Sequence, residues 1–78
     1  MRISILTPQK ILYEGNAKEV MLPSQDEEIA VMDFHQTAFF ALGKGDIRIK
    51  DEALTRIPVT LGLARVFGNE LLVLVEAS

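Results

Sequence analysis

The only histidine of the chain, His35, is the first residue to consider for catalysis, because histidine is the commonest general base near neutral pH. Asp33 and Thr37 flank it, two residues away on either side, and an extended backbone would put all three side chains on one face. A nucleophilic hydroxyl needs a base beside it and an acid that orients the base. The sequence supplies these residue types but does not show that their side chains meet. We therefore interpret His35 as a structural or contact residue, with a small hydrolase that uses His35 as a rival hypothesis.

The segment Gly43-Lys44-Gly45-Asp46 looks at first like a phosphate-binding loop. A P-loop needs four residues between its two glycines, followed by Lys and then Ser or Thr at the start of a helix. Because none of these follows, we predict a hairpin turn between two paired strands. One histidine and no cysteine also make a poor set of metal ligands. We expect no catalytic residue, no cofactor and no metal site.

A run of three acidic residues, Asp26-Glu27-Glu28, follows Ser24 and Gln25 in a polar segment. Two interpretations stay open for this run. It can be a solvated loop that keeps a small domain soluble. It can also be a charged tip that meets basic residues of a partner, where charge would set orientation and association rate more than affinity.

Two adjacent aromatic residues, Phe39 and Phe40, suggest a contact surface. Neighbouring residues of a strand point to opposite faces, so one ring should enter the core and the other should face outward. The set of Ala38, Phe40 and Leu42 is bulkier than the set of Phe39 and Ala41, which favours Phe40 inside. An exposed Phe39 would mark an interaction patch, unless the strand is covered on both sides.

Length and composition restrict what the chain can be. Its 78 residues allow one domain, so we predict a single domain over residues 1–78. An apolar content of 49% excludes disorder, and a net charge of −3 without a basic run argues against nucleic acid as a partner. No apolar run reaches the roughly 20 residues of a membrane span, and the first residues lack a signal-peptide pattern. Since a core this small supplies only about 3–5 kcal/mol, we expect a partner protein to add stability.

Short apolar runs separated by turn signals predict an all-β protein. Residues 1–5 and 46–50 alternate between apolar and polar, as half-buried strands do. Residues 71–75 are apolar at every position, which predicts a strand covered on both faces, and Gly68-Asn69 before them predicts a tight hairpin. The best helical alternative, residues 33–42, contains mediocre helix formers. We predict a small β-sandwich or flattened barrel of about eight to ten short strands.

Six segments follow one another in a recognisable order and spacing. They are Met1-Arg2-Ile3-Ser4-Ile5-Leu6-Thr7-Pro8, Leu12-Tyr13-Glu14-Gly15, Val20-Met21-Leu22-Pro23, Gly45-Asp46-Ile47-Arg48-Ile49, Gly62-Leu63-Ala64-Arg65-Val66 and Gly68-Asn69-Glu70-Leu71-Leu72-Val73-Leu74. Taken together, they resemble the N-terminal β-sandwich domain of the ε subunit of the rotary F-type ATP synthase. The resemblance runs over nearly the whole chain.

Some positions depart from the family pattern. Where the family has Pro-Gly-His-Ala-Pro, this chain keeps only His35, with Asp33-Phe34 before it and Gln36-Thr37 after it. Only Gly62 remains of the family's Ser-Gly-Gly. The family usually adds a C-terminal helical hairpin, whereas this chain stops at Ser78, so we expect no inhibitory or ATP-binding element.

The resemblance implies a non-catalytic rotor subunit of the central stalk, which links the γ subunit to the membrane c-ring and helps couple ion translocation to ATP synthesis. It implies the γ subunit and the c-ring as partners, and a location at the cytoplasmic face of the bacterial inner membrane through the complex alone. We place Phe39 or Phe40 on the γ side. The residues that we expect at the c-ring end are Ser24, Gln25, Asp26, Glu27, Glu28, Ile29 and His35. The rival interpretation is a free-standing β-sandwich adaptor for other proteins.

Overall fold

A computed structural model describes residues 1–25 and 27–77 of the chain, as eight β-strands joined by short turns. The strands are β1 (Arg2–Leu6), β2 (Ile11–Asn16), β3 (Glu19–Ser24), β4 (Glu27–Met32), β5 (Ala38–Leu42), β6 (Gly45–Ile49), β7 (Thr55–Phe67) and β8 (Glu70–Ala77). The predicted all-β fold is confirmed. The helical alternative for residues 33–42 is wrong, because residues 33–37 form a turn and a loop before β5 begins. None of the described residues forms a helix long and apolar enough to cross a membrane.

One sheet folds over on itself to give the two layers of a sandwich. Its strands follow the order β2-β1-β8-β7-β6-β3-β4, and β5 pairs with β7 outside this order. The hairpin predicted at Gly43-Lys44-Gly45 is wrong, because the strands that this turn joins, β5 and β6, both pair with β7 and not with each other. The long strand β7 belongs to both layers, since its first part pairs with β6 and its second part pairs with β5 and β8. A register shift between Val59 and Leu61 marks the boundary between the two parts.

The core lies between the two layers. Ile3, Val66 and Leu71 of the first layer (β2, β1, β8, β5 and the second part of β7) are buried in one cluster with Val20 and Ile47 of the second layer (β6, β3, β4 and the first part of β7). Each of these residues is at most 1% exposed. The burial of this apolar surface is the main contribution that holds the layers together.

Two glycines are required by local geometry. Gly68 and Asn69 both have φ of 58°, as a two-residue hairpin turn of type I′ demands, and the predicted hairpin between β7 and β8 is confirmed. Gly62 lies where β8 passes very close to β7. A Cβ atom there would stand 2.7 Å from the carbonyl oxygen of Leu74, so a larger residue would push the two strands apart.

The sandwich has two ends, which matter for the site. The turn between β3 and β4 lies beside the end of β5, because the Gly43 N–H donates to the Pro23 carbonyl at 3.1 Å; we call this the acidic end. The β7–β8 turn lies beside the loop that follows β4, because the Phe34 N–H donates to Asn69 Oδ1 at 2.8 Å; we call this the hairpin end.

Candidate functional site

Asp33 and His35 contact different groups in the structure. Residues 33–37 are not extended, so the shared strand face does not exist. The Asp33 carboxylate binds the N-terminal amino group, and His35 Nδ1 lies 2.7 Å from the carbonyl oxygen of the next residue. The imidazole packs edge-on against Phe40, with ring centroids 6.0 Å apart. Within the described part of the chain no hydrogen bond joins Thr37 to His35, and the hydrolase hypothesis has no geometric support.

The turn between β3 and β4, which we call the acidic turn, lies at the acidic end. Gln25 and Glu27 are exposed there, and Asp26 lies outside the described residues. Glu28 is already engaged, because both of its carboxylate oxygens accept hydrogen bonds from Arg48, at 2.6 and 2.7 Å. The open charged group of the described turn is therefore Glu27.

His35 does not lie with the acidic turn. The turn precedes β4 and His35 follows it, so the six residues of β4 separate them by about 20 Å. Ile29 lies within β4 and packs partly against the core. The prediction that the turn, Ile29 and His35 form one end of the domain is wrong, because an extended strand holds its two ends apart.

The two adjacent phenylalanines point in opposite directions, as the strand period requires. Phe39 is 73% exposed, whereas Phe40 packs partly against the core and touches His35. The preference for Phe40 inside is confirmed. Of the two phenylalanines, Phe39 is the one on the outer side of β5.

The outer side of the first layer carries a continuous apolar surface, which we call the outer face. One row of cross-strand neighbours runs through β1, β8, β7 and β5, and consists of Leu6, Leu74, Leu63 and Ala41. The next row, on β8, β7 and β5, consists of Leu72, Arg65 and Phe39. Leu63 is 60% exposed and Phe67, one step farther along β7, is 64% exposed. Four strands thus present large apolar side chains to the same side.

A shallow groove of about 610 Å³ crosses the outer face near the acidic end. Leu61 and Leu63 of β7 line it on one side, and Thr7 and Pro8, which follow β1, line it on the other. Leu61 also borders a neighbouring hollow together with Ser24. The outer face and the acidic end are therefore continuous.

Most of this surface was missed by sequence reasoning, which selected only Phe39. The prediction that residues 71–75 are covered on both faces is wrong. In the described residues only the side of β8 with Leu71, Val73 and Val75 meets another layer, and Leu74 is 50% exposed. The apolar run of β8 was nevertheless the sequence signal for the outer face. A strand with two apolar faces that is covered by one layer must expose its second apolar face.

The outer side of the second layer carries paired charges, with the exposed Met32 among them. Its ion pairs are Arg48 with Glu28 at 2.6 Å, Lys50 with Glu19 at 3.0 Å and Arg56 with Asp46 at 4.0 Å. Across residues 1–25 and 27–77, no group of three His, Cys, Asp or Glu side chains could hold a metal ion. The two outer sides of the sandwich therefore differ, because ion pairs lie on one and large exposed apolar side chains lie on the other.

A hydrogen bond between two side chains joins the two layers, and we call it the Tyr13–Asp51 clip. Tyr13 of β2 donates its phenolic hydrogen to Asp51 Oδ2 at 2.9 Å, in the loop between β6 and β7. Burial raises the pKa of the Tyr13 hydroxyl, and the hydrogen bond to the Asp51 carboxylate and its charge raise it further. Burial also raises the pKa of the Asp51 carboxyl, but hydrogen bonds from Tyr13 and from Thr55 outweigh it and hold that pKa below its ordinary value.

Comparison with known proteins bears directly on this arrangement. A family model described as "ATP synthase, Delta/Epsilon chain, beta-sandwich domain" matches residues 1–78. The chain belongs to this family. The resemblance seen in the order of the sequence motifs is thereby confirmed, and the two-layered β-fold is the one that the family description names.

Curated relatives of this delta/epsilon domain include ATP synthase epsilon chains. The cyanelle protein of Cyanophora paradoxa is 37% identical over 76 residues, which make up 96% of this chain and 58% of the relative. The protein of Sulfurimonas denitrificans is 30% identical over 80 residues, 100% of this chain and 62% of the relative. The chain thus spans about three-fifths of the length of these relatives.

Solved structures share the fold of the delta/epsilon domain. A chain of the Tetrahymena thermophila mitochondrial ATP synthase, in a structure of the central stalk and c-ring, superposes with a TM-score of 0.77 at 14% identity, over 96% of this chain and 62% of that one. A chain of the Euglena gracilis mitochondrial ATP synthase, in a structure of OSCP, F1 and c-ring, gives 0.80 at 12% identity, over 94% and 48%. At these identities the likeness shows the fold.

Proposed function

We propose that residues 1–78 form the single ε-type domain that links the γ subunit to the c-ring of an F-type ATP synthase. In this role the domain is a rotor component of the central stalk, and it helps couple ion translocation to ATP synthesis without catalysing a reaction. It is held at the cytoplasmic face of a bacterial inner membrane through the complex. The family match and the epsilon-chain relatives support the assignment to this enzyme.

The observation that carries the proposal is the outer face. Contiguous exposed apolar patches are uncommon on soluble monomers and mark places that a partner covers. Leu63 and Phe67, both more than half exposed, lie beside Phe39 at 73%. We assign this face to the γ subunit, with Phe39 as its contact on β5 and Phe40 as a residue of the interior.

The acidic end is proposed to face the c-ring. Ser24, Gln25 and Glu27 are the contact candidates of its described residues, whereas Glu28 is held by Arg48. Because the groove of the outer face adjoins this end at Leu61, one rigid sandwich can bind γ along its side and the ring at its tip. A sandwich bound to both partners transmits torque from one to the other without a conformational change of its own.

Titration of the purified γ subunit with wild type and with Leu63→Ser tests the proposal. Leu63 is 60% exposed, so the substitution should leave the fold intact, as thermal unfolding followed by circular dichroism would check. Loss of an apolar contact at the centre of the face should weaken binding by roughly 1–3 kcal/mol. Leu54→Ser is the matched control, because Leu54 is 58% exposed but lies in the loop between β6 and β7. Unchanged affinity of Leu63→Ser would contradict the assignment of the outer face to γ.

A further inference from the structure

Arg65 is a charged residue at the centre of the outer face, whose β8 strand also carries the exposed Glu70 and Glu76 on either side of Leu72 and Leu74. Arg65 is exposed on β7, between Leu63 and Phe67 of its own strand. Its cross-strand neighbours are Phe39 on β5 and Leu72 on β8. Because alternate residues of a strand share a face, apolar side chains flank the arginine on all four sides.

The Arg65 guanidinium has no acidic partner within the described chain. Among residues 1–25 and 27–77, no carboxylate oxygen lies within 4.0 Å of it, whereas Arg2, Arg48 and Arg56 each have one. Arginine stays charged at any pH at which the protein is folded. In the free domain, water is therefore what solvates this cation.

A partner that covers the outer face removes that water. A buried guanidinium without a counter-charge opposes binding strongly. With a carboxylate in fork-to-fork geometry it makes two short, charge-assisted hydrogen bonds, and arginines bound in this way are among the strongest single contacts of interfaces. A surface that covers the apolar neighbours of Arg65 must therefore offer a carboxylate to the guanidinium or bind weakly.

We propose that the γ surface which covers the outer face carries an Asp or Glu, surrounded by apolar side chains, that binds Arg65 with two parallel hydrogen bonds. This inference rests on the proposed function, which makes γ the occupant of the face. The apolar contacts are non-directional, whereas a bidentate ion pair fixes position and orientation. Arg65 is the residue that sets the docking register, and its apolar neighbours supply most of the affinity.

Dissociation constants for γ, measured with substitutions at Arg65, test the inference. Arg65→Met keeps a long apolar side chain but leaves the partner carboxylate buried and unpaired, so the dissociation constant should rise ~30-fold or more. Arg65→Lys keeps the charge without the planar fork and should fall between wild type and Arg65→Met. Arg56→Met is the matched control, because Arg56 lies on the same strand, is 62% exposed and belongs to the charged side of the sandwich. It should bind γ as wild type does.

Charge reversal then identifies the partner residue. Arg65→Glu should lose binding, and acidic residues of γ are changed one at a time to Arg against this variant. One reversal should restore binding to Arg65→Glu and lose binding to the wild-type domain. A set of reversals that restores nothing would overturn the pairing.

The outcomes separate the inference from the function on which it rests. If Leu63→Ser weakens binding while Arg65→Met binds γ as tightly as wild type or more tightly, the guanidinium reaches solvent in the complex. The pairing is then wrong and the proposed function stands. If neither substitution changes the dissociation constant, γ does not cover the outer face, and both the inference and the assignment of that face fail.

Discussion

Phe34 holds a backbone conformation that suits glycine. Its φ of 63° lies in the left-handed region, which bulky side chains rarely adopt. The conformation is held by the hydrogen bond from its N–H to Asn69, and the side chain is 82% exposed, so it gains little packing in return. The family motif Pro-Gly-His has glycine at this place. The backbone at this position therefore has the conformation that the glycine of the motif favours, although this chain has phenylalanine there.

Replacement of Phe34 by Gly should raise the free energy of unfolding by up to about 1 kcal/mol or leave it unchanged. Relief of the left-handed strain is worth about 1–2 kcal/mol, and the greater freedom of glycine in the unfolded chain offsets part of it. Urea unfolding measures the difference. Phe39→Gly is the control, because Phe39 is similarly exposed but sits in strand β5, where glycine should lower stability by roughly 0.5–1 kcal/mol. A clear loss of stability in Phe34→Gly would show that its ring packs against the domain in solution.

At the scale of elements, the Tyr13–Asp51 clip makes the contact between β2 and the β6–β7 loop depend on pH. The Asp51 pKa is lower in the folded protein than in the unfolded chain, so its ionised form stabilises the fold. That contribution is complete above the unfolded pKa. It is lost as the pH falls through the folded pKa, because both states are then protonated.

Asp51→Asn removes this titration while keeping the size of the side chain. The melting temperature of wild type should fall more steeply than that of Asp51→Asn between about pH 5 and pH 2. The other carboxyl groups are common to both proteins, so the difference between the two curves isolates Asp51. Parallel curves would mean that the carboxylate gains nothing from its hydrogen bonds.

Some features of the strands were predictable from the sequence and others were not. The β7–β8 hairpin was predictable, because Gly68-Asn69 suits a turn in which both residues have positive φ. The orientation of β7 was not, because its larger set, with Leu63 and Phe67, faces outward and its smaller set, with Ala64 and Val66, is buried. A strand with two apolar faces does not reveal which face meets the core. His35 was misplaced for a related reason, because its end of the domain depends on where β4 begins and ends.

At the scale of the whole molecule, the two outer sides of the sandwich differ in character. The apolar contacts lie on the first layer, whereas the arginines of the second layer are paired with carboxylates across β4, β6 and β7. The surface proposed to bind γ and the surface with these ion pairs thus lie on opposite sides of the sandwich. A groove of about 550 Å³ on the charged side contains basic groups, and it is the place within the described residues to examine for nucleotide binding.

We predict that these 78 residues do not bind ATP. The charged groove is lined by Glu27, Glu28 and Asp46 as well as by Lys44, Arg48 and Arg56, so a triphosphate would meet as many carboxylates as cations. The hydrogen bonds that Arg48 Nη2 donates to both carboxylate oxygens of Glu28 would have to break before that nitrogen could bind a phosphate. Isothermal titration calorimetry with millimolar ATP should show no saturable heat. A micromolar affinity that Arg56→Ala abolishes would contradict the prediction and assign the groove to nucleotide, since Arg56 is its arginine with the longer ion pair, 4.0 Å to Asp46.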